Sequence, residues 1–445
     1  MVARGWSRLL WLPVALALAG PAWGQVTILS PREGAELQGS VEVAARVAPP
    51  IGERLDRVVV QTEGGNWVRL SPKIADTWSA QLDTTKLRNG RQSLVVIAFV
   101  RGADASRSRY EDSAWASQKR NLMAEVQVVV RNPYQWYWGD LHAHTSYSDG
   151  SQLPADAYRY ARDVAKLDFF AVTDHAQLLT LAEYQDVIAQ AQRHDQPGRF
   201  VALYGVEYTE SVGHLNYYLA PTPRLPSRLD SAYQAIAGMG VLGHFNHPNI
   251  SSPADQGWKD DFEGFHYVSA ADRCMALVEV RNPTEEAAYI ALLDAGWHVG
   301  AAGCQDQHGP VWGTGGKTWT VALARELTRE AVLEALWARR TYSAGDRNLR
   351  LAFTVDGEDM GAQIARPIGP LACHVTVADP DPDQVVDRID LFLDGRIVET
   401  TRPKLTSYSW AVPLTFPRGR HYCFVRVTQA GGATTWSSPV WVNAY

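Results

Sequence analysis

Cysteine is scarce in this chain, with 4 residues in 445. Cys274 and Cys304 lack zinc-ligand spacing and read as core residues. Cys373 and Cys423 lie in strand-like segments, and they read equally well as a disulfide or as two buried thiols. Basic residues are also in short supply, 42 against 48 acidic, for a net charge of −6. Setting aside Arg4 and Arg8 leaves 40 against 48, or −8. That balance excludes the basic footprint of a nucleic-acid binder. After residue 24 no apolar run approaches the roughly 20 residues that a spanning helix needs. Gly313-Thr-Gly-Gly lacks the order of a phosphate-binding loop, so nucleotide binding has no support. No Ser or Cys stands beside a base in a nucleophile pattern, which points away from a covalent route. Low-complexity tracts and internal repeats are missing as well. With 46% hydrophobic and 20% charged residues, the composition is that of a folded globular protein.

What is present begins with a leader. Arg4 and Arg8 precede the apolar run Leu9–Gly20, and Ala22-Trp23-Gly24 offers small residues for cleavage before Gln25. The run is too short to span a membrane, and no Cys at the cut invites a lipid anchor. Residues 1–24 therefore read as a signal peptide, and the mature chain as exported, periplasmic or secreted, with no membrane span.

Three regions follow. Residues 25–132 carry short β-branched, alternating segments such as Val41-Glu-Val-Ala-Ala-Arg-Val and Ser93-Leu-Val-Val-Ile-Ala-Phe-Val. Turn signals at Glu63-Gly-Gly and Arg88-Asn-Gly separate them, and the spacing predicts an immunoglobulin-like β module. Residues 133–350 alternate strand and helix, with helices expected near 155–166, 184–193, 231–238, 285–295 and 330–340. Such β–α repeats predict a parallel sheet or barrel with its site at the C-terminal strand ends. Residues 351–445 return to β and predict a second small sandwich.

Histidine is distributed unevenly. Of 12 histidines, 10 fall between His142 and His308, and only His374 and His421 lie outside. His142 and His144 are two apart on a strand and so leave one face together, with Asp149 shortly after. Strand ends then deliver His175, Glu207, His247 and the Asp306–His308 pair, with His214 following Glu207. Imidazole and carboxylate converging on one rim form a ligand set suited to Zn, Mn or Fe. A single such residue is usually a satisfied core histidine; five strand ends in succession are not. His194 reads as solvated surface, and His266 and His298 as structural. Asp140 and Asp174 adjoin ligand segments, where they would orient imidazoles or serve as plain caps.

Asp140-Leu-His142-Ala-His144-Thr-Ser-Tyr-Ser-Asp149-Gly150, Thr173-Asp-His175, Gly205-Val-Glu207, His247-Pro248 and Gln305-Asp306-Gln-His308 resemble, in order, the motifs of the polymerase and histidinol phosphatase (PHP) superfamily. The resemblance covers residues 134–350. The context Tyr137-Trp-Gly-Asp-Leu-His, with a β region on either side, is similar to exported metallohydrolases related to carbaryl hydrolase. The resemblance implies an α/β fold, a distorted (β/α)7 barrel, with two or three divalent metals. His142, His144, Glu207 and Asp306 would hold the first. Glu207 would bridge to a second, held with His214 and His247, and Asp149, His175 and His308 would hold a third. Where the superfamily has Gly-Ser before the last acid, this chain has Cys304-Gln305, while Asp306 and His308 remain.

Such metals lower the pKa of a bound water and yield hydroxide near neutral pH. Asp306 and Glu207 are then the catalytic carboxylates, Asp306 aligning the nucleophile or shuttling its proton. His244, Arg281 and Asn282 are the candidate substrate contacts, and Lys317 stands near the same rim. Three activities compete. The first is phosphoester hydrolysis. The second is hydrolysis of a carboxylic ester, carbamate or amide. The third is a non-catalytic surface-binding protein, which the intact ligand set argues against. A basic cleft holding Arg281 or Lys317 favours phosphate; an aromatic one favours an aryl ester or carbamate.

Overall fold

The computed structural model describes residues 24–62, 67–84, 87, 90–102, 121–130, 132–250 and 260–445. Residues 1–23 of the leader and the turn signals at Glu63 and Arg88 lie outside them. The chain divides into two compact units, 1–132 and 133–445. No helix among the described residues is long and apolar enough to cross a membrane.

The first unit is a single eight-stranded sheet system. Ser40–Ala48 pairs antiparallel with both Gln25–Ser30 and Thr77–Asp83, and Gly90–Gly102 pairs with Glu53–Thr62 and Asn121–Val130. The period-two pattern sends Val43, Ala45 and Val47 into a core with Val58, Val60, Leu94 and Val96. Asn132 closes the unit by donating its amide to Leu87 O while Thr84 Oγ1 reaches its Oδ1.

The second unit mixes α and β and is rich in sheet. Gln135–Asp140, Phe169–Val172 and Val201–Glu210 run parallel. Leu242–Phe245, Met275–Glu279 and Gly300–Ala302 form a second parallel run. Between the two runs the chain departs from simple β–α alternation. Gly213–Tyr218 pairs antiparallel with strands on both sides, so His214 sits on a strand rather than in a loop. The cause is the two-residue link at Ser211–Val212, too short for a crossover, which forces a hairpin. Because the hairpin reverses the chain twice, every parallel strand still ends on one rim.

The helices match their expected positions within a few residues. Leu181–His194 is capped by Thr180, whose side chain accepts from the Glu183 N–H while Glu183 returns to Thr180. Pro283–Ala295 begins with proline in its first turn and ends at Gly296, whose φ of +106° suits only glycine.

After Ala302 two antiparallel strands, Trp319–Ala324 and Thr341–Ala344, extend the sheet. Thr341–Ala344 then pairs with Thr434–Ser437, so the same fifteen-stranded sheet runs on into the C-terminal region. A separate four-stranded sheet built on Arg350–Val355, Pro370–Ala378 and Ser407–Thr415 shares one core with it. Cys373 and Cys423 both lie in this core as free, buried thiols.

Candidate metal centre

The rim at the C-terminal strand ends gathers the histidines. His142 and His144 follow Gln135–Asp140, and an isolated parallel bridge joins Ala143 to Gln307. A second bridge joins His175 to Glu207. Four groups of ligand-type side chains result, each with ligand atoms mutually within 4.8 Å. Three are His142–His144–Glu207, Glu207–His214–His247 and His144–Asp149–His175–His308, and the fourth is the fully buried His244–Glu279–Cys304. Asp306 Oδ1 joins the first, 3.3 Å from His142 Nε2 and 3.1 Å from His144 Nε2.

Glu207 is the hub. Its Oε1 lies 3.1 Å from His142 Nε2, 3.2 Å from His214 Nδ1 and 3.5 Å from His247 Nε2. Its Oε2 lies 2.7 Å from His175 Nδ1 and 3.4 Å from His144 Nε2. Asn246 Nδ2 donates to Oε1 at 2.9 Å and fixes the carboxylate in the plane of the cluster.

These spacings fit a metal. Two ligands each about 2.1 Å from a tetrahedral ion stand about 3.4 Å apart. The donor chemistry fits too. His142 Nδ1 donates to Glu279 Oε1 at 2.7 Å, which leaves Nε2 as a bare lone pair. That lone pair faces His144 Nε2 at 3.2 Å and two carboxylate oxygens. Glu207 Oε2 and Asp306 Oδ1 are sealed from solvent with no aligned hydrogen bond among the described residues. Acceptors facing acceptors inside a protein need a cation between them. Without one, protons serve. Burial works against charge on His142, yet Asp306, Glu207 and Glu279 push its pKa well above the usual value. Asp306 is likewise held well below the usual carboxylate range against the pull of burial, by His142 and His144.

The groups differ in access. His142, His144 and Glu207 are fully enclosed, whereas Asp149 is 50% and His308 40% exposed by side chain. The cluster therefore meets solvent on the side of Asp149 and His308. The backbone is strained at two ligand positions, with φ of +29° at His247 and +50° at Asp306. Such non-glycine conformations cost of order 1–3 kcal/mol and persist where surroundings impose them. Gly150 is needed for a different reason. A Cβ there would lie 2.6 Å from the His144 carbonyl carbon, so only glycine lets the Asp149 loop fold back onto its partner.

Supporting residues lock these ligands. Asp174 accepts from Thr145 N–H and from the Thr145 and Ser148 hydroxyls, and so ties the His144–Asp149 loop to the next strand. Asp140 Oδ1 accepts from the His142 and Gln305 N–H groups, while its buried Oδ2 has no partner among the described residues. Burial raises the Asp140 pKa from 3.8 to about 7. A carboxyl raised on folding stabilises fully below pH 3.8 and loses that contribution as pH climbs through about 7. In chelator-treated protein, Asp140→Asn should flatten the fall in urea midpoint between pH 5 and pH 8. Parallel pH profiles for the two proteins would refute this account of Asp140.

Three residues expected to touch substrate have other partners. His244 is fully buried behind His142 and donates from Nδ1 to the Tyr218 hydroxyl, and burial lowers its pKa to about 3. Asn282 caps a helix, its Oδ1 accepting from Thr284 and Glu285 N–H. Arg281 is held by Glu285 through Nε and Nη2 and lies 3.3 Å from Glu279. His194 bonds back to Gln190 O and stacks on Tyr158, His298 pairs with Asp272, and His266 is exposed. Sequence reading places Glu279 on this rim but gives it no role. It touches His142 with one oxygen and, with the other, accepts the His247 N–H at 2.8 Å. Its signal was a carboxylate ending a buried strand, Ala276-Leu-Val-Glu279.

No protein-family profile matches the chain. It is 22% identical over 384 residues to an uncharacterized protein of Chlamydia pneumoniae, covering 74% of this chain and 60% of the relative. It is 23% identical over 368 residues to one of Chlamydia muridarum, covering 72% and 59%. The chain thus spans about three-fifths of the length of these relatives. Among solved structures, it resembles a two-domain protein of Bacteroides vulgatus containing a predicted PHP-like metal-dependent phosphoesterase. That likeness has 19% identity and a TM-score of 0.41, covering 66% of this chain and 91% of the other.

Proposed function

We propose that this protein is a metal-dependent phosphoesterase of the PHP type, built on a distorted barrel at residues 133–350. One observation carries the reading: a buried Glu207 within 2.7–3.5 Å of five imidazoles, at separations that suit shared metal ions. The motif order of the sequence agrees with it. The leader places its work outside the cytoplasm, where the β regions at 25–132 and 351–445 accompany it.

Bound divalent ions of the Zn, Mn or Fe type would supply Lewis acidity, neutralising charge that grows on a phosphoryl oxygen and making water acidic. His142, His144, Glu207 and Asp306 would hold one ion. His214 and His247 would share Glu207 for a second, and Asp149, His175 and His308 would hold a third at the solvent side. The chain's own groups do the rest. Glu279 holds His142 in the tautomer that presents Nε2 inward. Asp306, 29% exposed by side chain, reaches both the sealed cluster and the entrance, which suits it to orient water and carry its proton outward. Phosphate is favoured over an aryl ester because the cleft beside the cluster presents Arg281 and Lys317.

The test is a metal count joined to a substrate panel. Protein lacking residues 1–24 and loaded with Zn or Mn should carry at least one ion per chain. It should hydrolyse p-nitrophenyl or bis-p-nitrophenyl phosphate faster than p-nitrophenyl acetate or a naphthyl carbamate. Fewer than one ion per chain overturns the metal reading, and the reverse substrate order replaces phosphoester with ester. Turnover that survives His142→Ala combined with Asp306→Ala would remove these residues from the site.

A further inference from the structure

A cavity of about 780 Å³ opens on the same rim as the metal cluster. Strand direction places it there. Arg281 and Asn282 follow Met275–Glu279, whose end carries Glu279. Lys317 and Thr318 precede Trp319–Ala324, which runs antiparallel to Gln135–Asp140 with Thr320 opposite Gly139 and so begins at that rim. Asp346 follows Thr341–Ala344, which returns to the rim with Ala344 opposite Trp319. Thr434–Ser437 pairs with that strand, so its preceding turn, 430–433, reaches the rim as well.

Two tethers join cavity to cluster. Arg281 Nη2 lies 3.3 Å from Glu279 Oε2, and Glu279 Oε1 accepts from His142. Gln305, beside Asp306, donates to Thr318 O and accepts the Gly316 N–H.

The lining is polar and carries both signs, with Arg426 and Glu286 paired to each other. Lys317 is exposed and has no ion-pair partner among the described residues. Arg281 stays charged, since Glu279 and Glu285 raise its pKa against the effect of burial. Neutral and acidic hydrogen-bonding groups line it as well. Asn282 spends its Oδ1 on the helix, which leaves its amide N–H groups for a ligand. Asp346 spends Oδ1 on the Asn348 and Leu349 N–H groups, which leaves Oδ2 as an acceptor. Gln384 and Thr428, both from the C-terminal region, complete that set. The one aromatic there, Trp436, is buried with its N–H given to Glu286, so no ring face is offered for stacking. A volume in this range holds a molecule well beyond inorganic phosphate in size.

We propose that this cleft is the recognition half of the substrate site, and that it takes a polyhydroxylated anion, a sugar phosphate. The anionic group lies toward Lys317 and Arg281, and the hydroxyls lie against Asn282, Asp346, Gln384 and Thr428. The C-terminal β region is then part of the substrate site. This rests on the phosphoesterase reading for its chemistry, but its binding is separable from turnover.

Calorimetry on metal-free, full-length mature protein tests it, using glucose 6-phosphate, fructose 6-phosphate, mannose 6-phosphate, phenyl phosphate and inorganic phosphate. At least one sugar phosphate should bind tenfold or more tightly than phenyl phosphate and inorganic phosphate. Lys317→Ala, and separately Gln384→Trp from the C-terminal side, should each weaken it at least tenfold with the melting temperature unchanged. Equal affinity for all the phosphates, no binding, or indifference to both variants overturns the proposal. The metal count on wild-type protein reports on the hydrolase reading independently, so either can fail while the other stands.

Discussion

Glu207→Gln is expected to empty the centre of metal and to lower phosphoester turnover by at least about 10³-fold, since a single misplaced electrostatic group already costs 10²–10³. The substitution keeps the side chain's shape and removes its charge. In the native site both carboxylate oxygens face imidazole nitrogens, three around Oε1 and two around Oε2. An amide would put two N–H donors on one side and so cannot accept or ligate there. The carboxylate is held far below the usual range despite burial, by His142, His175 and His214. It is therefore ionised at neutral pH. Metal analysis, turnover and a melting curve together decide the matter. A variant that melts normally and keeps its full metal complement would show that Glu207 bridges nothing.

Glu279 carries the second large effect, and it divides into two measurements. Glu279→Gln keeps the size but weakens the hold on His142, so metal affinity should fall 10–100-fold, the usual consequence of losing a carboxylate behind a ligating imidazole. Glu279→Ala goes further. The side chain is wholly buried, and Arg281 and His142 keep it ionised against burial. Deleting it leaves Arg281, itself nearly enclosed, with one carboxylate fewer, and should cost about 3–5 kcal/mol in unfolding free energy. Competition with a chelator reads the first effect and urea unfolding the second. Wild-type metal affinity in Glu279→Gln would reduce the residue to a packing role.

The contrast between Glu207 and Glu279 shows what could be read without coordinates. His142 and His144 announce themselves, because a spacing of two on a strand puts both imidazoles on one side. Glu207 is legible because it follows a buried apolar run between two other ligand-bearing segments. Glu279 follows such a run in the same way, but the neighbouring Arg281 offers a simple ion pair, and nothing local reveals that His142, 137 residues earlier, is its partner. Asn282 was half legible for a related reason. An asparagine at a strand end before Pro-Thr-Glu-Glu suits an N-cap as well as a substrate contact, and its Oδ1 takes the cap, where it satisfies two helix N–H groups. The Gly213–Tyr218 strand was illegible because it is almost wholly buried and shows no alternation. Its direction follows only from the shortness of the preceding link.

The continuous sheet across Thr341–Ala344 bears on how the protein comes to exist at all. The strand Thr341–Ala344 finds its outer partner in Thr434–Ser437, late in the sequence. A ribosome-bound chain that has released only the first 400 residues therefore exposes an unpaired backbone edge, which is a template for association with other chains. It also lacks much of the core that Val425, Val427 and Val440 complete. The vulnerable interval lasts until Thr434–Ser437 and Val440–Ala444 are in place.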